Sequence, residues 1–259
     1  MQEFIDTAVL AIKQAAKIHK KYFNTDIKAE MKKKTFDLVT VADVEAEKAI
    51  TSLIKKKFPK HNILAEENKY KKTDSQYTWI IDPLDGTNNF SNKIPMFSVS
   101  IALAKDKEVL LGFVYDVMRD ELFSARKGKG AFLNGKKIKV NGVDGFRQAI
   151  LVTGFYYDRG QAMVENIEKV KQFLQKKIIG IRRFGSAALD LCYVACGRAA
   201  GFWEFELNVW DFAAGKLIVE EAGGKVSGRL GEPVLLKKSF IIASNSKIHE
   251  QMLDVISHA

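Results

Sequence analysis

The sequence predicts a mixed α/β (α+β) protein with two unlike halves, and three observations carry that prediction. Residues 96–140 alternate and break at turn residues in the manner of an antiparallel meander. Beyond about residue 145, strand-like and helical stretches take turns, which is the pattern of α/β organisation. With 259 residues, 47% hydrophobic and 28% charged, the chain can bury a large core in one or two domains.

The elements follow in order. Phe4, Ile5, Ala8, Val9, Ile12, Ala15, Ala16, His19, Tyr22 and Phe23 lie on one face of a helix. Gln and Lys interrupt this stretch, so it is not the continuous apolar region of a signal peptide. Leu38–Val41 is a short extended segment, and Asp43 stands where an N-cap belongs. Ile50, Leu53 and Ile54 form the apolar stripe of the helix that follows, and Pro59 ends it. "NILAEE" is a brief strand closing on Glu66 and Glu67, and Thr78 opens another. The meander turns at Lys105-Asp106, Arg119-Asp120, Gly128–Gly130 and the hairpin signal Asn134-Gly135. The polar stretch from Asn141 to Gly145 suggests a boundary between a domain at 1–143 and another at 144–259. In the second, "AILVTGF" is a strand, 161–176 a helix, "IIGIRRF" a strand and "GSAALDLCYVACGR" a helix. "GFWEFEL" is a strand, "WDFAAGKLIVEEAGG" a helix closed by two glycines, "SFIIASN" a strand, and a helix comes last. There are no internal repeats.

No apolar run is long enough to span a bilayer. Cys192 and Cys196, four apart on a helical pattern, suit small core residues in a reducing compartment, so a cytoplasmic protein is expected. The net charge of +10, with lysine triplets at 32–34 and 55–57, favours anionic partners: phosphorylated small molecules, nucleic acid or an acidic protein. A solvated basic face with no partner is the alternative.

The stretch "TWIIDPLDGTNNF" (78–90) runs an apolar strand into Asp82 and Asp85. A DP turn followed by a DG turn would account for part of it. Yet Glu66 also closes an apolar strand, and Asp211 starts a helix after Trp210, where α/β folds gather ligand groups. Two carboxylates about 5 Å apart repel by roughly 3 kcal/mol at an effective dielectric of 20. Four together need protons or divalent cations. Oxygen donors without His or Cys select Mg²⁺, Mn²⁺ or Ca²⁺ over zinc, and two such ions in one site point to phosphoryl chemistry. Gly86 lets a phosphate approach free backbone N–H groups, and the Thr87 hydroxyl can orient a water.

"WIIDPLDGTNNF" and "WDFAAGKLIVEEAGG", with "DLVTVAD", "AEE", "ARKGKGAFLNGKKIKV" and "GSAALDLCYVACG" in the same order, resemble the inositol monophosphatase family of Mg²⁺-dependent, lithium-sensitive phosphatases. The resemblance implies hydrolysis of a small phosphate monoester, foremost myo-inositol monophosphate, by metal-activated water. Fructose 1,6-bisphosphate or another sugar or nucleotide phosphate is the alternative substrate. It implies Mg²⁺, two or three per site, with Mn²⁺ also possible. Glu66, Asp82 and the Leu84 carbonyl would hold the first ion and Asp82, Asp85 and Asp211 the second. Glu66 would steady a third through water.

By the same resemblance the amides of Gly86 and Thr87 would bind phosphate, and Thr87 paired with Asp43 would activate the water. Glu204 would grip substrate hydroxyls; Gly185, Ser186 and Ala187 would begin a helix beside the ring, with Asp211 also on the substrate side. Lys32 lies near the family's catalytic-loop lysine, with Lys33 and Lys34 leaving the register open. The implied fold is a layered α-β-α-β-α sandwich, usually a homodimer. Asn208 replaces a histidine of some animal members. The run Thr87-Asn88-Asn89-Phe90 is unlike the nucleotide-bisphosphate and histidinol-phosphate branches. Some bacterial relatives also serve as accessory factors in RNA transcription complexes, a non-enzymatic role that the positive charge permits.

Overall fold

Five layers stack in the order helix, sheet, helix, sheet, helix. They are seen in a computed structural model that describes residues 1–26, 30–31, 38–155 and 159–257; the lysines at 32–34 lie outside the described residues. The outer layer on one side is α1 (Gln2–Tyr22) and α2 (Val41–Lys57). Helix α1 buries Ala8, Ala11, Ile12, Ala15, Ala16 and His19, the stripe that its sequence spaces at three and four. A two-stranded ribbon, β1 (Glu30–Met31) with β2 (Leu38–Val39), lies between these helices in sequence.

The first sheet runs in chain order: β3 (Asn62–Ala65), β4 (Tyr77–Asp85), β5 (Ser98–Lys105), β6 (Glu108–Asp116), β7 (Glu121–Arg126), β8 (Gly130–Leu133) and β9 (Lys136–Ile138). Strands β3 and β4 are parallel and the others antiparallel, as the meander predicts. Its last hairpin turns on Asn134 and Gly135, at φ 47° and 77°, both in the left-handed region that a two-residue turn needs. After the short helix α3 (Thr87–Ser91), the second sheet takes β10 (Ile150–Thr153), β11 (Gly180–Arg182), β12 (Gly201–Leu207), β13 (Lys225–Ser227) and β14 (Ser239–Ser244), in the order β11-β10-β12-β14-β13. Its first three strands are parallel and the remaining pairings antiparallel. Helices α4 (Gln161–Gln175) and α7 (His249–Ser257) cover its outer face.

Between the sheets lie α5 (Ala187–Ala195) and α6 (Val209–Glu221). Both are apolar nearly all round because both faces are covered. The approach is close: a Cβ on Gly112 of β6 would stand 2.7 Å from the Ala214 carbonyl, and one on Gly215 would meet Leu191 of α5 at the same distance. The same two-sided cover removes the polar–apolar alternation from β5. Val99, Ile101 and Leu103 face α1 and α2, while Ala102 and Ala104 face the middle helices. Cys192 lies in that middle core and Cys196 half-buried beside it, both as free thiols. No helix among the described residues is long and apolar enough to cross a membrane.

The start of α2 corrects one expectation. Thr40, not Asp43, is the N-cap: its hydroxyl accepts from the Ala42 amide, while Asp43, one turn in, reaches back to the Thr40 amide. The Thr-x-x-Asp spacing forms a capping box, which satisfies the free amides at both positions.

His249, at the start of α7, is buried between two serines. Its Nε2 lies 2.9 Å from Ser227 Oγ and its Nδ1 2.9 Å from Ser244 Oγ. Burial, with Lys225 adding, lowers its pKa to about 4. Below pH 6.5 the unfolded chain therefore binds a proton that the folded chain refuses. The stability this residue contributes is lost as pH falls from about 6.5 toward 4, at up to about 1.4 kcal/mol per pH unit. Urea unfolding of wild type and His249→Gln between pH 7.5 and 5 should show their stability difference shrinking with acid; a constant difference would contradict the assignment.

Candidate functional site

Strand β4 changes register at its end. Asp82 pairs with Ser100 of β5 and Asp85 with Ser98, so three steps on one strand match two on the other. Pro83 and Leu84 occupy the bulge, where a residue lacking an N–H is tolerated. The bulge turns Asp82 and Asp85 out of simple alternation. Asp82 Oδ1 accepts from the Leu84 amide at 3.0 Å. Gly86 follows at φ +100° and starts α3 with Thr87. A Cβ on Gly86 would come within 3.1 Å of the Met96 carbonyl and 3.2 Å of the Gly185 carbonyl, so the turn is too tight for any other residue.

Helix α2 brings Asp43 to this turn. Its Oδ1 accepts the Thr87 hydroxyl at 2.8 Å, while its Oδ2 takes the Thr40 amide at 2.8 Å and the Thr40 hydroxyl at 2.5 Å. The Leu84 carbonyl is a second acceptor for Thr87, at 3.0 Å. Burial pushes the Asp43 carboxyl up to about 6 against the pull of these hydrogen bonds. One turn along α2, buried Glu47 accepts from the Glu67 amide, the Asn68 side chain and the Tyr70 hydroxyl at 2.8–2.9 Å. That anchors the loop carrying Glu66.

The middle layer supplies the opposite wall. Ser186 caps α5 and donates to Asp85 Oδ2 at 2.6 Å, beside the Ala188 amide at 2.8 Å. The Asn89 side chain donates to the carbonyls of Met96 and Phe184, tying α3 to the chain before Gly185. Asp211 sits one turn into α6 and accepts the Asn208 amide at 2.6 Å, so its place relative to the helix start matches that of Asp43. Glu204 comes from β12 in the second sheet. It lies against Gly154, where a Cβ would collide with Oε2 at 2.0 Å.

These acids are buried or half-buried and sense one another. Burial raises Asp82 well above the usual carboxylate range, and Glu66, Asp85 and Asp211 raise it further. Asp211 is raised well above that range by burial, then by Glu66 and Asp85. Asp85 rises to about 6, restrained by Ser186, the α5 amides and Arg183, and burial takes Glu204 to about 8. Among the described residues no three acids already close on one point at ligand distance; Asp85 and Asp211 each turn an oxygen to the protein's own donors. Acids raised by burial and by one another lack positive charge, and their oxygen-only donor set fits a hard divalent cation.

The sequence singled out Glu66, Asp82, Asp85, Asp211, Asp43, Thr87, Gly86, Gly185, Ser186, Ala187 and Glu204. The structure links Asp43 to Thr87, Asp85 to Ser186, and Asp82 electrostatically to Glu66, Asp85 and Asp211. Sequence reasoning passed over Glu47, Gly154, Asp190 and Arg183. Glu47 had a signal in its spacing of four from Asp43. Asp190 is buried in α5 with no hydrogen-bond partner on either oxygen, and burial followed by Glu204 raises its pKa well above the usual range.

The chain matches the inositol monophosphatase family over residues 1–258, and it belongs to that family. It is 44% identical to the inositol-1-monophosphatase of Synechocystis sp., over 85% of this chain and 77% of that one. It is 40% identical to the Nus factor SuhB of Escherichia coli, over 98% and 95%. The crystal structure of the extragenic suppressor protein suhB from Bartonella henselae superposes with a TM-score of 0.94 at 36% identity, covering 99% of each chain. The relatives thus divide, at similar identity, between a protein named inositol-1-monophosphatase and one named Nus factor SuhB.

A raised carboxyl opposes folding when charged, so Asp82 costs stability above its unfolded pKa of about 3.8, and that cost fades as pH falls. Asp82→Asn should therefore melt at or above the wild-type temperature in chelator at pH 7.5. Millimolar Mg²⁺ should raise the wild-type melting temperature and move that of the variant much less. Identical responses would show that these acids hold no cation.

Proposed function

We propose that this protein is a Mg²⁺-dependent hydrolase of small phosphate monoesters, with a polyol phosphate such as myo-inositol monophosphate as the first candidate substrate. The observation that carries the proposal is the Thr87–Asp43 hydrogen bond set at the end of a strand bearing Asp82 and Asp85. Glu66, Asp82, Asp85, Asp211 and the Leu84 carbonyl would hold two or three divalent ions. Such ions supply counter-charge to the phosphate and make a water more acidic.

The chain's own groups do the rest. The Thr87 hydroxyl would accept a hydrogen bond, and then the proton, from a water aimed at phosphorus as its own proton passes to Asp43. The amides of Gly86 and Thr87 receive phosphate oxygens. Glu204 accepts from hydroxyls of the leaving group, and the α5 start at Gly185–Ala187 lines the ring. Lys32 and a homodimer belong to the same proposal on family grounds. A second reading, association with a transcription complex, is favoured by the SuhB relatives and the charge of +10. RNA binding that weakens steeply with salt would support it.

Turnover should require Mg²⁺ or Mn²⁺ and stop in excess chelator. With Asp43 at about 6, activity should fall as acid protonates it through that pH. Thr87→Ser should keep most turnover. Thr87→Val and Asp43→Asn should each lose at least about 100-fold in kcat, a typical general-base contribution, and the double variant little more. Near wild-type turnover in Thr87→Val, or losses that multiply, would assign water activation to the ions alone.

Above about pH 8, where Glu204 is charged, Glu204→Gln should weaken binding of a polyol phosphate by about 1.5–3 kcal/mol, the worth of a charge-assisted hydrogen bond, and change turnover of an aryl phosphate less. Equal losses on both would make Glu204 a structural group.

A further inference from the structure

Strands β10 and β12 run parallel, and their backbone ladder ends on the pair Thr153–Trp203. One step further along each strand stand Gly154 and Glu204. On its other side β12 loses register with β14 directly after Glu204, and Glu206 lies in the left-handed region at φ 58°. Glu204 thus sits where the regular sheet gives out. Its carboxylate rests on Gly154 in the space a Cβ would fill: both oxygens and Cδ come within 2.0–2.2 Å of that point. The β10–β12 ladder does not reach this pair, so their contact has to be set by side chains.

Asn166, on the inner face of α4, sets it. An apolar residue is the ordinary choice for a buried helix position, yet here an amide is 2% exposed. Its Nδ2 donates to the Gly154 carbonyl at 2.7 Å, and its Oδ1 accepts the Trp203 indole N–H at 2.6 Å. The indole can only donate and the carbonyl can only accept, so the amide has one orientation. Thr153 closes the ring: its hydroxyl donates to the Trp203 carbonyl at 2.8 Å and lies 3.4 Å from Asn166 Nδ2. Thr153 and Trp203 are as deeply buried as Asn166. A buried network with each donor matched to an acceptor holds one arrangement, because any departure leaves a polar group unpaired.

We infer that Asn166 is a positioning residue: by tying Gly154 to Trp203 it fixes the Glu204 carboxylate in the place from which it takes the hydroxyls of the leaving group. This rests on the phosphatase reading and deepens it, since the grip on the polyol then depends on a helix that touches no substrate. Thr87 and Asp43 stand on α3 and α2, outside this network. Asn166 therefore acts on recognition of the leaving group and not on the attack at phosphorus.

The test measures KM and kcat for myo-inositol 1-phosphate and for p-nitrophenyl phosphate at saturating Mg²⁺, above about pH 8, where Glu204 is charged. Asn166→Ala should raise KM for the inositol phosphate by about 10- to 150-fold, the worth of the Glu204 bond it would forfeit, and leave kcat on the aryl phosphate unchanged. Adding Glu204→Gln should then cost nothing further, because Asn166 acts through Glu204: the double variant should match Glu204→Gln alone. Thr153→Val, which loses the hydroxyl, should repeat the effect, and Thr153→Ser, which keeps it, should not; this pair decides the matter if Asn166→Ala folds poorly. An unchanged KM, equal losses on both substrates, or losses that multiply in the double variant overturn the inference. If wild type hydrolyses neither compound, the phosphatase reading fails on its own. Crystal structures of wild type and Asn166→Ala then judge the positioning directly: the Glu204 carboxylate should leave its seat on Gly154, and an unmoved carboxylate overturns the inference.

Discussion

Burying carboxylates beside one another is costly, and the architecture around Asp82, Asp85 and Asp211 is organised to sustain that cost. Asp82 is buried, and Asp85 and Asp211 are half-buried beside it between the sheet and the middle helices. The protein lessens the strain with neutral donors, not with lysines: the Leu84 amide for Asp82, Ser186 and Ala188 for Asp85, and the Asn208 amide for Asp211. Dipoles of this kind hold each carboxylate in place without cancelling its charge, which leaves the cluster the chemistry that suits the proposed cation. A lysine in the same position would have settled the charge permanently.

The same local device appears twice. Asp43 in α2 and Asp211 in α6 both sit one turn into a helix and fold back onto the amide three residues earlier. A helix start thereby fixes a carboxylate to within a rotamer, and the helix axis decides where it points. Asp43 has both oxygens engaged by Thr40 and Thr87, which suits a group that holds a hydroxyl. Asp211 turns one oxygen to Asn208 and meets other acids.

Much of this was legible in the sequence because it is local. Strand ends, the Asn134-Gly135 hairpin, the glycine after Asp85 and the helix beginning near Trp210 are written in runs of a few residues. What was not legible depends on partners distant in sequence. Thr40 as the N-cap was missed because Asp43 is also a good capping residue, and only the bond to Thr87, from another element, decides how it is used. Glu47, Gly154 and Arg183 read as ordinary helix and strand residues until β12, the Glu66 loop and the α5 start are set against them. The alternation expected of β5 vanished because both of its faces are covered, which no single strand can announce.

The middle layer has a further consequence, for how such a protein can diverge. Gly112 against Ala214, and Gly215 against Leu191, leave no room for one added carbon at the seam between the two sheets. Added volume is therefore better tolerated at the outer helices and the rim than at this seam. A lineage can then lose or replace its chemistry at the rim and still keep a rigid body with an intact outer surface. Such a body is free to be recruited as a scaffold for other macromolecules, a physical route by which one fold could come to be shared by relatives named inositol-1-monophosphatase and Nus factor.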